Sequence, residues 1–570
     1  MAGPYLTPGV YVEEVDSGPK PIQGVATAVG ALIGFTQRAG PEDEPDKLLN
    51  KAELVTNWNQ YVEKFGGFIP DAYLPHAVFG FFNNGGQRCY VISVARQNKE
   101  EVFPAKRVIP FDGDAKSECL RIEAKDGGPD GNKLEVIIEH SGPEAETEPV
   151  STTANAEDEP EQTSSTTSST SSTSSTKGAS DKSTGDKPST SKSVTTSKGP
   201  TFSLIIRSGI DEERFDGLTL GTGSNVKTKV KSQWVDVEVL KGSPKSALLP
   251  KAGGFKLKEG KYGLTKATQN QIQGDPTKRE GLGGLEALDD VTMVACPDLM
   301  TVCRKSDGKP DLTGIKSIQT AMLVHCEQMK YRFAILDAPP GMAPQEVENW
   351  RFKQAMYDSK YGALYYPWIV VNDPLSSNGS TVTIPPSGHI AGLYSRIDSE
   401  RGVHKAPANE IVRGAIDLEV NVTKGEQAGL NPKGINCIRA FPGMGIRVWG
   451  ARTLSSNMAW NYINVRRLFN YVEASIEGGT QWVVFEPNDS TLWAKVRRDI
   501  SSFLRTVWLS GALFGNSPEE AFYVKCDAEI NPREIRDLGQ LIVEIGMAPV
   551  KPAEFVIFRI SQWAGPNAEG

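Results

Sequence analysis

Three short runs in the second half of the chain, residues 291–295, 333–337 and 363–371, are apolar at nearly every position, and amphipathic stretches separate them. A strand with one wet face alternates apolar and polar residues, so unbroken apolar runs of this length predict strands covered on both faces. Pro297 and the pair Pro339-Pro340 stop the first two runs. Between them Ile315, Ile318, Met322 and Met329 recur mostly at steps of three, four and seven, the period of a helix. A second helix is predicted over 345–359. Strands joined by helices in this rhythm imply a parallel sheet with helices on both sides.

The rest of the chain surrounds that core. Residues 25–35 begin the globular part, residues 74–82 predict a buried helix closing at Asn83-Asn84-Gly85-Gly86, and residues 89–94 predict the strand after it. Residues 120–124 and 134–138 read as strands flanking a turn-rich connection at 127–132. Residues 141–200 then break the pattern: about half are Ser or Thr, and only Val150 and Val194 carry sizeable apolar side chains. Such a composition cannot bury a core, so a disordered insert is expected between two strands whose ends lie close together. Beyond it residues 202–206 resume strand character.

The C-terminal part has a different rhythm. Met458, Tyr462, Val465, Phe469, Val472 and Ile476 alternate steps of four and three, predicting an amphipathic helix behind Ser455 and Ser456. A second helix carries Leu492, Val496, Ile500, Phe503, Leu504 and Val507 on one face and Lys495, Arg497 and Arg498 on the other. That basic face is either a solvated surface or a contact for an acidic partner. Residues 541–545 and 554–560 predict strands. An apolar strand as close to the terminus as Phe555, Val556, Ile557 and Phe558 needs a pairing partner, because an open edge aggregates.

The N-terminal end resembles it. Val10, Tyr11, Val12, Glu13 and Val15 belong to a short alternating strand, followed by the breaker cluster Asp16-Ser17-Gly18-Pro19-Lys20-Pro21. A linker of this length spans ~25–30 Å when extended. The strand either folds back on its own domain or reaches another molecule.

Several functions are disfavoured. With 570 residues, a net charge of −8 and no Lys/Arg-rich run, the chain lacks the basic footprint of a nucleic-acid binder. Its apolar stretches fall short of the ~18 residues of a spanning helix. The N-terminus shows no signal peptide, so synthesis and first residence in the cytoplasm are expected. Cys89, Cys119, Cys296, Cys303, Cys326, Cys437 and Cys526 form no C-x-x-C and are expected as buried thiols. No histidine pair has metal-ligand spacing, and no catalytic or cofactor motif is present. Gly221-Thr222-Gly223 and Gly443-Met444-Gly445 lack the third glycine of a dinucleotide loop and predict turns. His389 with Ser387 and Asp398 nearby raises a hydrolase alternative, and the Ser/Thr tract raises a surface-recognition alternative.

Ordered strings span nearly the whole chain: residues 8–15 (PGVYVEEV), 81–86 (FFNNGG), 332–337 (RFAILD), 385–392 (PPSGHIAG), 401–409 (RGVHKAPAN), 434–437 (GINC), 449–453 (WGART) and 464–468 (NVRRL). In these the chain resembles the contractile tail sheath family of bacteriophages, R-type pyocins and extracellular contractile injection systems. The Ser/Thr tract departs from that family.

The resemblance implies an α/β and α+β multidomain protein that is structural and not an enzyme, with no cofactor and no metal. It implies an N-terminal arm and linker at 1–24, a core at 25–100 and 281–453 whose middle domain is subtilisin-like by fold only, and a variable outward-facing β-rich domain at 101–280. It further implies an α+β tube-facing domain at 454–548 and a C-terminal arm at 549–570. Copies of the chain would stack as six-membered rings around an inner tube protein, joined by donated terminal strands, between baseplate and terminal cap proteins, with no nucleic acid and no membrane insertion. Lys495, Arg497 and Arg498 become candidate tube contacts. Assembly would occur in the bacterial cytoplasm, and the mature site would be a phage tail or phage tail-like particle.

Overall fold

The three apolar runs lie side by side. In a computed structural model describing residues 21–41, 43–141, 200–220, 224–240, 249–376 and 379–559, Met293–Ala295, Phe333–Asp337 and Gly362–Tyr366 pair in parallel, in registers such as Val294↔Ala334 and Leu336↔Leu364. Val29–Thr36 extends the sheet from one side and Ile435–Phe441 from the other, both parallel. The first residues of Arg88–Phe111 add a further parallel strand beside Val29–Thr36.

Alternate side chains enter opposite cores, as the period of two requires. Ala31, Ile33, Val294, Ala334, Leu336 and Leu364 join one cluster with Ile315, Ile318 and Met322 of the helix Leu312–Met329. Leu32, Met293, Phe333, Ile335, Ala363 and Tyr365 join the other, under the helices Leu74–Asn83 and Ser387–Arg401. These two helices touch through glycines. A Cβ on Gly388 would lie 2.4 Å from the Cα of Ala77, and one on Gly392 would lie 2.3 Å from the Phe81 carbonyl oxygen. The PPSGHIAG string therefore carries a close helix crossing.

The chain divides into two compact units, one from Met1–Asn98 with Leu264–Gly570 and one from Lys99–Gly263. In the second unit, Thr201–Ser208 lies between Glu135–Ser141 and Asp211–Leu218, and Glu135–Ser141 pairs onward with Gly253–Lys256, all antiparallel. Asp114–Gly127 pairs with the end of Arg88–Phe111 and with Val235–Val239. The inward residues Ile109, Leu120, Ile122, Val136, Ile138, Leu204 and Ile206 share one core. Ser141 pairs with Thr201, so the two ends of the Ser/Thr-rich stretch meet across a strand pair. The stretch itself lies outside the described residues, as do Gly221-Thr222-Gly223.

Several expectations are corrected. The run at 363–371 is two strands, because Pro367 offers no N–H to a ladder; after it Ile369–Asn372 leaves the parallel sheet and pairs antiparallel with Thr381–Ile384. The helix expected at 345–359 runs only from Pro344 through a π-helical turn at Trp350–Ala355, and left-handed Met356 ends it. The helix expected from Met458 starts at Ile463 without a serine cap, since Ser456 bonds Asp358 instead and Met458 stays exposed. Only Glu544–Met547 of the penultimate region is a strand, paired with Phe522–Lys525. Residues 554–559 pair with none of the described strands of this chain, and Ile560 lies outside the described residues. Gly443 occupies the tight turn joining Ile435–Phe441 to Gly445–Val448, as expected.

Candidate functional site

The hydrolase alternative fails on geometry. Ser387 and His389 lie two residues apart on one helix, which turns them about 200° from each other, and Asp398 follows about 13 Å further along the axis. The backbone N–H of Ser387 donates to Asp337 Oδ1 at 2.9 Å, so Asp337 caps this helix from the end of a sheet strand. Both carboxylate oxygens of Asp398 are taken by Arg467, at 2.9 and 2.6 Å. His389 is packed against Gly80, and burial, with His76 nearby, pushes its pKa down to about 3. The trio is structural.

Four of the ordered strings converge elsewhere, on the root of the C-terminal segment. Val550 N–H donates to the Ala512 carbonyl at 3.1 Å, and the Val550 carbonyl accepts from Asn464 Nδ2 at 3.2 Å. The same amide also donates to the His404 carbonyl at 2.8 Å. Four residues on, Glu554 is held by three side chains. Its Oε1 accepts from Arg452 Nε at 3.0 Å and from Asn431 Nδ2 at 2.5 Å; its Oε2 accepts from Arg452 Nη2 at 2.7 Å and from Tyr462 Oη at 2.9 Å. Burial alone would raise the Glu554 carboxyl, but these bonds outweigh it and hold the pKa below its ordinary value.

The clamp is built into the sheet. Asn436, fully buried on the strand Ile435–Phe441, accepts the Arg452 N–H at 2.7 Å and donates to the Arg452 carbonyl at 2.8 Å. A Cβ on Gly450 would come within 3.0 Å of the Asn436 Cα, so a bare glycine is needed where the chain passes. Arg452 also bridges Tyr462 by backbone pairing. Thus GINC, WGART, NVRRL and RGVHKAPAN supply Asn436, Arg452, Asn464 and the His404 carbonyl to one place. A groove of about 910 Å³ runs beside it, with Lys405, Arg439, Phe441 and Trp449 among its walls.

Beyond Glu554 the side chains are largely exposed, although Phe555 and Val556 edge the groove. Phe555, Val556, Ile557 and Phe558 are 73%, 69%, 79% and 83% exposed. The opposite arm, Val10, Tyr11, Val12, Glu13 and Val15, lies outside the described residues.

Lys495, Arg497 and Arg498 are exposed on the helix Ser490–Leu509, whose opposite face buries Leu492, Val496, Ile500, Phe503, Leu504 and Val507. The three are not equivalent. Arg498 pairs with Asp499 at 3.1 Å, and Arg497 Nη1 reaches the Cys526 carbonyl at 3.5 Å. Arg505, exposed seven residues after Arg498, continues the stripe of Lys495 and Arg498. Helical spacing alone would have found it. Among the described residues no helix is long and apolar enough to cross a membrane, and no cluster of His, Cys, Asp or Glu is arranged to hold a metal ion.

Residues 308–454 match the family described as phage tail sheath protein central domain, and residues 455–562 match the phage tail sheath C-terminal domain. The chain is similar to the tail sheath protein of Vibrio phage KVP40, 26% identical over 235 residues that cover 39% of this chain and 34% of that protein. It is also similar to the tail sheath protein of Burkholderia phage BcepMu, 28% identical over 256 residues, or 41% of this chain and 51% of that protein. The chain thus spans less than two thirds of the length of these relatives. Its fold is similar to a chain of the PVC sheath complex of an extracellular contractile injection system in the contracted state, with a TM-score of 0.54 at 22% identity over 99% of both chains. A chain of the contracted helical sheath of the anti-feeding prophage gives 0.53 at 24% identity, over 98% of this chain and 99% of that one.

Proposed function

The chain belongs to the contractile tail sheath family, and from that premise we propose that it is the structural subunit of a contractile sheath. Copies stack as six-membered rings around an inner tube, and donated terminal strands link them. Shortening of the cylinder drives the tube through a target envelope. The observation that supports this reading is the C-terminal segment: a root fixed by Glu554, then four exposed apolar side chains that pair with no strand among the described residues. An apolar segment left open in this way is suited to adding a strand to a second copy, where each backbone hydrogen bond contributes about 0.5–1.5 kcal/mol net.

In this reading residues 1–24 and 549–570 are the arms, 25–100 with 281–453 the core, 101–280 the outward-facing domain and 454–548 the tube-facing one. The parallel sheet with helices on both faces supports a subtilisin-like fold for the core without its chemistry, and the subunit works as a structural element and not as an enzyme. Its further partners are baseplate and terminal cap proteins. Assembly takes place in the bacterial cytoplasm, and the mature particle is a phage tail or a related injection device.

Negative-stain microscopy of particles purified with the tube protein tests this: cylinders in two lengths and diameters are expected. Only monomers or amorphous protein would refute it. Deleting residues 555–570 or 1–17 should abolish cylinders while the monomer keeps its melting temperature, and unchanged assembly would refute strand donation.

A further inference from the structure

A strand handed to another molecule is useful to a shortening cylinder only if its near end holds under tension. Pulling on residues 555–559 of this chain would otherwise load the nearest backbone bonds. Those are the bonds of Val550 to the Ala512 carbonyl and from Asn464 Nδ2, the backbone bonds of Ala548 with Phe514 and Ala521, and then the short Glu544–Met547 strand. Bonds of that kind open one after another from the end, each against only its own small net free energy.

Glu554 sits before all of them on the load path. It is the last residue of the described C-terminal segment with side-chain bonds to the body, and the first reached by force arriving from residue 555 onward. Its carboxylate is held by charge-assisted bonds from one guanidinium and by two further donors, which give way together or not at all. The guanidinium belongs to Arg452, whose backbone is doubly bonded to buried Asn436 in the parallel sheet. Tension at Glu554 therefore passes into the sheet and bypasses the hairpin.

We propose that Glu554, with Arg452, Tyr462 and Asn431, is the tension anchor of the C-terminal arm: a positioning residue that fixes where the arm leaves its own subunit and shields the Phe522–Lys525 and Glu544–Met547 pair from being unzipped during contraction. This rests on the sheath reading but concerns residues which that reading does not require.

The test uses the full chain with Glu554→Ala, Arg452→Met and the exchanged pair Arg452→Glu with Glu554→Arg. In the monomer, losing charge-assisted bonds should raise chymotryptic cleavage after Phe555 about tenfold or more. Cleavage after Phe558 and the thermal midpoint should hardly change, and the exchanged pair should recover part of the protection. In particles, the single variants should form extended cylinders that fragment when contraction is induced by mild urea, whereas wild-type cylinders stay whole. Unchanged cleavage after Phe555 overturns the clamp. Raised cleavage with cylinders that contract intact overturns the anchor role. A wild-type chain that forms no cylinders overturns the sheath reading, and the anchor with it.

Discussion

Arg467 and Asp398 form a doubly hydrogen-bonded ion pair, Nη1 to Oδ1 at 2.9 Å and Nη2 to Oδ2 at 2.6 Å, with side chains only 5% and 4% exposed. The pair ties the helix Ile463–Gly479 to the helix Ser387–Arg401, and Arg467 Nη2 also donates to the Thr27 carbonyl at 2.9 Å. Three segments far apart in sequence are thereby fixed at one point. Removing either partner strands a buried charge, so Arg467→Met or Asp398→Ala should each cost about 3–5 kcal/mol. The double variant Arg467→Met with Asp398→Ala should cost clearly less than the two single losses together. Urea unfolding of the four proteins measures this, and strictly additive losses would contradict it.

The helix crossing at Gly388 and Gly392 should be as intolerant as its spacing suggests. Their Cβ atoms would meet the Ala77 and Phe81 backbones at 2.4 and 2.3 Å, and backbone cannot step aside as a flexible side chain can. Gly388→Ala or Gly392→Ala should lower stability by about 1–3 kcal/mol or more, through overpacking. Gly478, also helical, has open space where its Cβ would sit. Gly478→Ala should therefore be neutral or stabilising by up to about 1 kcal/mol. Thermal melts that rank these variants in any other order would show that the crossing relaxes more easily than its contacts imply.

Much of this frame was legible in the sequence because burial on both faces leaves a strong signature. The strand at 333–337 was read to its ends, and the helix containing Ile315, Ile318 and Met322 nearly so. Misreadings arose where a local event interrupted a favourable pattern. Pro367 cut an apolar run, Met356 turned left-handed inside a helical period, and Met458 continued a three-four spacing while lying outside the helix. The clamp was invisible for a different reason. Arg452 and Glu554 stand 102 residues apart, Asn431 and Glu554 123 apart, and no period connects them. The ordered strings marked Arg452, Asn436 and Asn464 as noteworthy, but only the fold brings them to one site.

The slope of stability against pH should change when one buried histidine is removed. Burial pushes His389 to about 3 and His76 to about 4, so the folded protein keeps them neutral where the unfolded chain takes up protons. Their contribution is full above about 6.5 and is lost as pH falls toward about 4. Burial pushes Asp298 and Asp337 the other way, to about 7. Those two contribute below about 4 and lose their contribution as pH rises toward about 7. The slopes oppose each other between about pH 4.5 and 6.5. His389→Gln removes one histidine contribution and leaves that of His76, so the variant should gain stability relative to wild type by up to about 1.4 kcal/mol per unit of falling pH. Urea midpoints across that range give the slope, and parallel curves for the two proteins would contradict the assignment.

The basic face of the Ser490–Leu509 helix divides into two kinds of residue, and substitutions should divide the same way. Lys495, Arg498 and Arg505 are exposed along one stripe, where reversing a charge normally changes stability by no more than about 0.5 kcal/mol. If the stripe meets an acidic inner tube, Lys495→Glu with Arg505→Glu should leave the monomer melt unchanged. Empty cylinders should still form, but tube-filled ones should become rare. The same loss should be approached in wild type by raising the salt concentration, because exposed charges beyond about 10 Å are screened near 0.1 M. Arg497 differs, since its guanidinium leans on the Cys526 carbonyl beside the terminal hairpin. Arg497→Glu should therefore lower the melting temperature slightly and leave tube filling intact. Counting filled and empty cylinders for each variant decides the matter: filling that depends on Arg497 and ignores Lys495 would place the tube against the hairpin edge of the helix and not against the stripe.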